Sequence, residues 1–180
     1  MLARHSFSAI KNPCHHDRPL GIFWDLENIN IPSKSAGREV VSWLKDTLKP
    51  HGNLKEFRAY SSIGSNQIPE HIRSELQLSG CTLIDCPHNG RKEVADKTII
   101  VDAMDFVMQN QAGATLCFIT SDSDYAYLLS VLQRYPQHRT IVISRSDQDS
   151  MLEAISDLSL RWESDILRLS SATRTDRGQF

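Results

Sequence analysis

From Leu20 onward, short apolar runs alternate with segments in which apolar residues recur every three or four positions. Residues 20–25 run Leu-Gly-Ile-Phe-Trp-Asp, the pattern of a strand buried on both faces and ending on a carboxylate. Over 36–49, Val40, Val41, Leu44 and Leu48 share one helical face, with Ser35 as the expected cap and Pro50-His51-Gly52 as the stop. A second strand is predicted over 54–61 and a helix over 67–78, ended by Gly80. A third strand covers 82–86, stopped by Pro87. Then come a helix over 94–110, a strand over 115–120, a helix over 123–134, a strand over 140–144 and a helix over 149–156. A last strand is predicted over 160–162. Apolar strands alternating with helices imply right-handed crossovers and an α/β fold around a parallel sheet.

The ends break this rhythm. Residues 1–18 hold Arg4, Lys11, Arg18 and three histidines, with no acid before Asp17. They read as a flexible leader, and their basic, acid-poor character also fits a mitochondrial transit peptide. Cys14-His15-His16-Asp17 has the look of metal ligands, but a short unsupported tail is a poor place for a metal site. Residues 169–180 are polar and read as a flexible tail. The expected domain is 19–168.

Composition changes this picture little. Hydrophobic content of 40% and charged content of 23% are ordinary for a globular chain of 180 residues. A net charge of −2 gives no global nucleic-acid signature, so any such surface must be a local basic patch. Cys14, Cys81, Cys86 and Cys117 form no C-x-x-C pair and read as reduced thiols. No apolar run approaches the ~20 residues of a membrane span. The expectation is an intracellular protein, cytoplasmic first, mitochondrial second, with a peroxisomal association weaker still. The carboxyl terminus Gly-Gln-Phe is not a Ser-Lys-Leu address.

The chemistry gathers where the strands end. Asp25 ends the first strand, and Thr120-Ser121-Asp122-Ser123-Asp124-Tyr125 ends the fourth. In open α/β sheets ligands bind at that carboxyl edge. Carboxylates gathered there repel one another unless a cation neutralises them, and an oxygen-only set suits Mg²⁺ or Mn²⁺. Each motif also has a purely structural reading. Asp25 and Asn28 would make an Asx-type turn. Ser121 with Asp124 would make a capping box. Lys92 and Asp96, four apart, would be a surface pair on one helix face. Asp102 lies six beyond Asp96, about 240° round the helix, and cannot easily share its metal.

Phe23-Trp24-Asp25-Leu26-Glu27-Asn28, Lys92-x-x-x-Asp96 and Thr120-Ser121-Asp122-Ser123-Asp124-Tyr125, in this order, resemble the NYN domain family of PIN-like nucleases. The first string is especially similar to the NYN domain of meiosis regulator and mRNA stability factor proteins. The resemblance covers about residues 20–167. It implies a three-layer, Rossmann-like sandwich around a mainly parallel sheet of order 3-2-1-4-5. That order sets Asp25 and Asp122 facing each other across the switch point. It also implies Mg²⁺ or Mn²⁺ and endonucleolytic cleavage of single-stranded RNA, in RNA processing or decay and the regulation of gene expression. Carried over, Asp25, Asp96 and Asp122 match the metal-binding acids, Asp124 an accessory acid and Asn28 a polar site residue. Two departures stand out. Many bacterial members have Lys-Gly-Val-Asp where this chain has the longer Lys92-Glu93-Val94-Ala95-Asp96, and many have Ser-Gly-Asp where it has Thr120-Ser121-Asp122.

The expected activity is therefore a metal-dependent endoribonuclease, with Asp25, Asp96, Asp122 and Asp124 as catalytic and metal-binding residues. Asn28, Thr120, Ser121, Arg91, Lys92 and Lys97 are the candidate substrate contacts, with Arg58 and Tyr60 extending the groove. Single-stranded RNA is the expected partner, and a homodimer or protein partner stays open. The alternative is a non-catalytic module binding RNA or protein. A third reading is a haloacid-dehalogenase-like phosphatase, since Asp25-x-Glu27 follows one strand and Phe118-Ile119-Thr120 ends another. That family has a second Asp where Glu27 stands and its Lys after the Thr, whereas Lys92 precedes Thr120.

Overall fold

A computed structural model describes residues 17–65, 68–87, 93–145 and 150–169. Six strands, β1 (Pro19–Asp25), β2 (Asn53–Ser61), β3 (Thr82–Asp85), β4 (Thr115–Ile119), β5 (Arg139–Ser144) and β6 (Leu158–Arg161), form one sheet of order 3-2-1-4-5-6. Every neighbouring pair is parallel. The predicted order is correct, with β6 added beside β5. Five helices connect the strands: α1 (Gly37–Leu48), α2 (Glu70–Leu78), α3 (Val94–Gln109), α4 (Ala126–Leu132) and α5 (Ser150–Ile155).

The two sheet faces carry separate cores. Leu20, Ile22 and Trp24 of β1 point to the side of α1 and α2, joining Val40, Leu44 and Leu76. Trp24 meets Trp162 there, with ring centroids 5.3 Å apart. Phe23 points the other way and packs on Phe106 of α3 and Phe118 of β4, at 6.0 and 5.7 Å. Gly21 lets α3 come this close, because a Cβ there would lie 3.0 Å from the rings of Phe106 and Phe23. Period-two alternation carries Asp25 onto the same α3 side as Phe23.

Three boundaries differ from the sequence expectation. Ser35 does not cap α1. The cap position is Ala36, and Glu75 Oε2 of α2 accepts the Arg38 N–H at 3.4 Å instead. Residues 123–125 form a separate 3₁₀ turn ahead of α4, because Asp122 Oδ1 accepts the Asp124 N–H at 2.9 Å and tightens the chain. The last strand starts at Leu158, where Asp157 Oδ2 clamps Thr140 N at 2.7 Å, and Trp162 already begins a π turn. Among the described residues no helix is long and apolar enough to cross a membrane.

Candidate active site

The loop after β1, the start of α3 and the turn after β4 meet at the carboxyl edge of the sheet, where the strand order reverses between β1 and β4. A cleft of about 310 Å³ opens there, lined by Asp25, Glu27, Asn28, Glu93, Asp96, Asp122 and Asp124. Asp25 forms its floor and is only 4% exposed. Burial this deep needs donors. Asp25 Oδ1 accepts from the backbone N–H of Glu27 and Asn28, at 3.2 and 3.1 Å. The Asx-type turn anticipated for Asp25 thus exists, and it leaves the second oxygen, Oδ2, facing the α3 side.

Asp96 comes from the first turn of α3, where acids are favoured by the helix dipole. Asp122 and Asp124 come from the 3₁₀ turn after β4. One oxygen from each of Asp96, Asp122 and Asp124 lies within 4.8 Å of the other two. Tyr125, fully buried, ties this trio to Asp25: its Oη donates to Asp96 Oδ1 at 2.9 Å and stands 3.5 Å from Asp25 Oδ2. Oη has one proton and two carboxylates to serve. Burial favours the protonated form of Asp25, which relieves the conflict. Burial pushes its carboxyl up from 3.8 to about 7, and the Asp96 and Glu27 charges add to the rise, against the two backbone donors. A protonated Asp25 can donate to Oη while Oη donates to Asp96. The Asp96 carboxyl is also raised, first by burial and then by Asp122 and Asp124, with the Tyr125 hydroxyl opposing. Burial and the Asp25 and Asp96 charges hold the Tyr125 phenol in its neutral form, far above its ordinary range.

The other expected contacts mostly build the scaffold. Asn28 Oδ1 accepts the Ser121 N–H at 2.7 Å, joining the loop after β1 to the loop after β4. Thr120 Oγ1 accepts the Asp122 N–H at 3.1 Å. Ser121 Oγ accepts the Arg145 N–H at 2.9 Å, so Ser121 is not the cap of a capping box; Asp122 takes that role. Lys97 pairs with Glu93 at 2.8 Å on an exposed edge. Arg91, Lys92 and Cys14-His15-His16 lie outside the described residues. Tyr60 and Arg58 do not extend the groove. Tyr60 is fully buried and donates to Asp102 Oδ2 at 2.8 Å, and Arg58 pairs with the same oxygen at 2.9 Å and with Glu56. Asp102 thus belongs to a half-buried polar cluster away from the acidic trio, as its helical angle required.

Sequence reasoning missed Tyr125, Glu27 and Glu93. The first two lie inside the motif strings but look like core and turn residues. Glu27 Oε1 accepts the Ser62 N–H at 2.7 Å, which binds the cleft to the end of β2. Removal of the Tyr125 hydroxyl tests the bridge. Outer-shell partners typically cost 10–100-fold in metal affinity, so Tyr125→Phe is expected to raise the Mn²⁺ dissociation constant by about that factor in calorimetry. An unchanged affinity would make the bridge a core contact only.

A family model described as the NYN domain matches residues 19–158. The protein named meiosis regulator and mRNA stability factor 1 from Bos taurus is 27% identical over 147 residues, covering 81% of this chain and 8% of that protein. Its Xenopus tropicalis counterpart is 26% identical over 135 residues, covering 74% and 8%. The chain therefore spans about 8% of the length of these curated relatives. The crystal structure of a protein of unknown function from Vibrio parahaemolyticus superposes with a TM-score of 0.66 at 17% identity, over 84% of this chain and 96% of that one, a likeness of fold alone.

Proposed function

Since the chain belongs to the NYN domain family, whose members are PIN-like nucleases, we propose that it is a metal-dependent endoribonuclease acting on single-stranded RNA. One observation carries this reading: six carboxylates line one cleft at the switch point, three of them within ligand distance of a common centre. No basic side chain lines the cleft among the described residues. An all-oxygen, anionic donor set fits Mg²⁺ or Mn²⁺ and does not fit a softer metal. Asp96, Asp122 and Asp124 would hold the ion, with Asp25 against Asp96 through Tyr125. An ion bound there would supply Lewis acidity for phosphodiester hydrolysis.

The chain's own residues set the proton economy. Burial raises the Asp25 carboxyl to about 7 in the metal-free protein, and its Oδ2 stands beside Tyr125 Oη. Tyr125 fixes Asp96 while staying neutral itself. Asn28, Thr120 and Ser121 hold the two loops that carry the acids, so their contribution is to position Asp25, Asp122 and Asp124. Lys92, Arg91 and Lys97, around Asp96 in sequence, remain the candidate substrate cations. Among the described residues Cys81, Cys86 and Cys117 are buried free thiols. The relatives are named as RNA stability factors, and a role in RNA decay is the matching proposal here.

An endonuclease needs no free end. Covalently closed circular RNA is expected to be linearised in Mn²⁺ and then shortened. Degradation of linear RNA with the circle untouched would mean an exonuclease. Tight binding of both without cutting would favour a non-catalytic RNA-binding module.

A further inference from the structure

The acidic cleft cannot hold a polyanion by itself, so the cation that grips the strand has to be sought along the same sheet edge. The loop after β1 forms a partition there. Asp25, Glu27 and Asn28 line the cleft on one side, and Asn30, Ile31 and Pro32 line a second hollow of about 560 Å³ on the other. That volume lies within the ~300–1,000 Å³ common for small-ligand sites. Ile31, Trp162 and Leu167 are nearly or fully buried and give the hollow an apolar floor, whereas Asn30, Arg145 and Glu163 are its polar lining.

Arg145 follows the last residue of β5 and is half-buried. It is held to the cleft by a short bonded path. Asn28 Oδ1 takes the Ser121 N–H, and Ser121 Oγ takes the Arg145 N–H. On its far side the Arg145 carbonyl accepts from Arg161 Nη1 at 3.2 Å. Among the described residues its guanidinium enters no ion pair. A forked cation with a fixed backbone, one loop away from a carboxylate cleft, is suited to a phosphate oxygen pair. The apolar floor suits the face of an unstacked base, and the Asn30 amide, whose Oδ1 accepts the Ile31 N–H at 2.7 Å, offers its N–H₂ donors for the base edge.

We propose that this hollow is a nucleotide subsite, taking one base of the single-stranded RNA whose scissile phosphate lies in the acidic cleft, with Arg145 on the adjoining backbone phosphate. The proposal rests on the nuclease reading and deepens it: the enzyme grips a base beside the cut, and so requires an unpaired nucleotide there.

The test is made in EDTA, where cutting is off, with an oligouridylate bearing one thiouridine. Photocrosslinks are expected on residues 30–32 or 162–169. Arg145→Gln is expected to weaken binding and lower its salt slope by about 0.7. Arg145→Lys keeps the charge and is expected to restore the slope, and a melting curve checks that both variants fold. Crosslinks confined to other peptides, or an Arg145→Gln slope equal to wild type, would overturn the subsite. Cleavage in Mn²⁺ is measured on the same preparations. An active enzyme without these crosslinks loses the subsite alone, whereas an inactive protein with them loses the nuclease reading alone.

Discussion

Asp96→Asn is expected to lower RNA cleavage in Mg²⁺ or Mn²⁺ by on the order of 10²–10³-fold, the size of effect seen when one preorganised charge is removed from a reacting centre. Asp96 is the member of the trio that comes from α3, whereas Asp122 and Asp124 share one turn. Without its charge the trio reduces to two neighbouring acids on one loop. Asparagine keeps an acceptor for the Tyr125 hydroxyl, so the fold should be preserved. Asp122→Asn likewise keeps the oxygen that takes the Asp124 N–H, and should lower activity by a similar factor. If Asp122 served only as a cap, Asp122→Ala would cost ~1 kcal/mol of stability and leave cleavage alone. Initial rates beside melting curves separate the two roles.

Asp25→Asn is expected to make the metal-free protein more stable and the enzyme inactive. The Asp25 carboxyl titrates at about 7 in the folded protein, against 3.8 ordinarily, chiefly because it is buried. The folded state therefore holds this proton more tightly than the unfolded chain does. The associated stability is complete below about pH 4 and is lost as pH rises through 7. A displacement of about three pH units corresponds to at most ~4 kcal/mol. Asparagine never ionises and can still accept the Glu27 and Asn28 N–H groups through Oδ1. At pH 8 the variant should melt above wild type by at most about 8–16 °C, for a chain of this size, and at pH 4 the two should coincide. Equal melting at both pH values would place the Asp25 charge in water, not on the floor of a cleft.

The acids at the strand ends were legible because the strands are. An uninterrupted apolar run from Leu20 to Trp24 can only be buried, and the first charge after it must stand at the sheet edge. The same holds for Asp122 after β4. Asp96 was legible by resemblance, not by pattern, since alone it reads as half of a surface pair. What escaped were contacts made across long sequence separations. Tyr125 reaches Asp25 a hundred positions earlier, and a tyrosine in a helical start looks like core until α3 is packed against it. Ser35 lost its capping role to Glu75 because α1 and α2 are neighbours, a fact of tertiary packing. Tyr60 sat in a strand with alternating exposure, yet its hydroxyl is satisfied by Asp102 from α3, which allows full burial. The second hollow combines residues around 31, 145 and 165, and no local pattern announces such a meeting.

The most direct measurement is a time course of end-labelled, unstructured RNA with the purified protein in Mn²⁺, in Mg²⁺, in EDTA, and in EDTA followed by excess Mn²⁺, with Asp96→Asn run alongside. Internal cuts are expected with either ion, none in EDTA, recovery on metal addition, and almost none from the variant. Cutting undiminished by EDTA, or equal cutting by Asp96→Asn, would contradict a nuclease whose chemistry resides in the Asp25–Asp96–Asp122–Asp124 cleft.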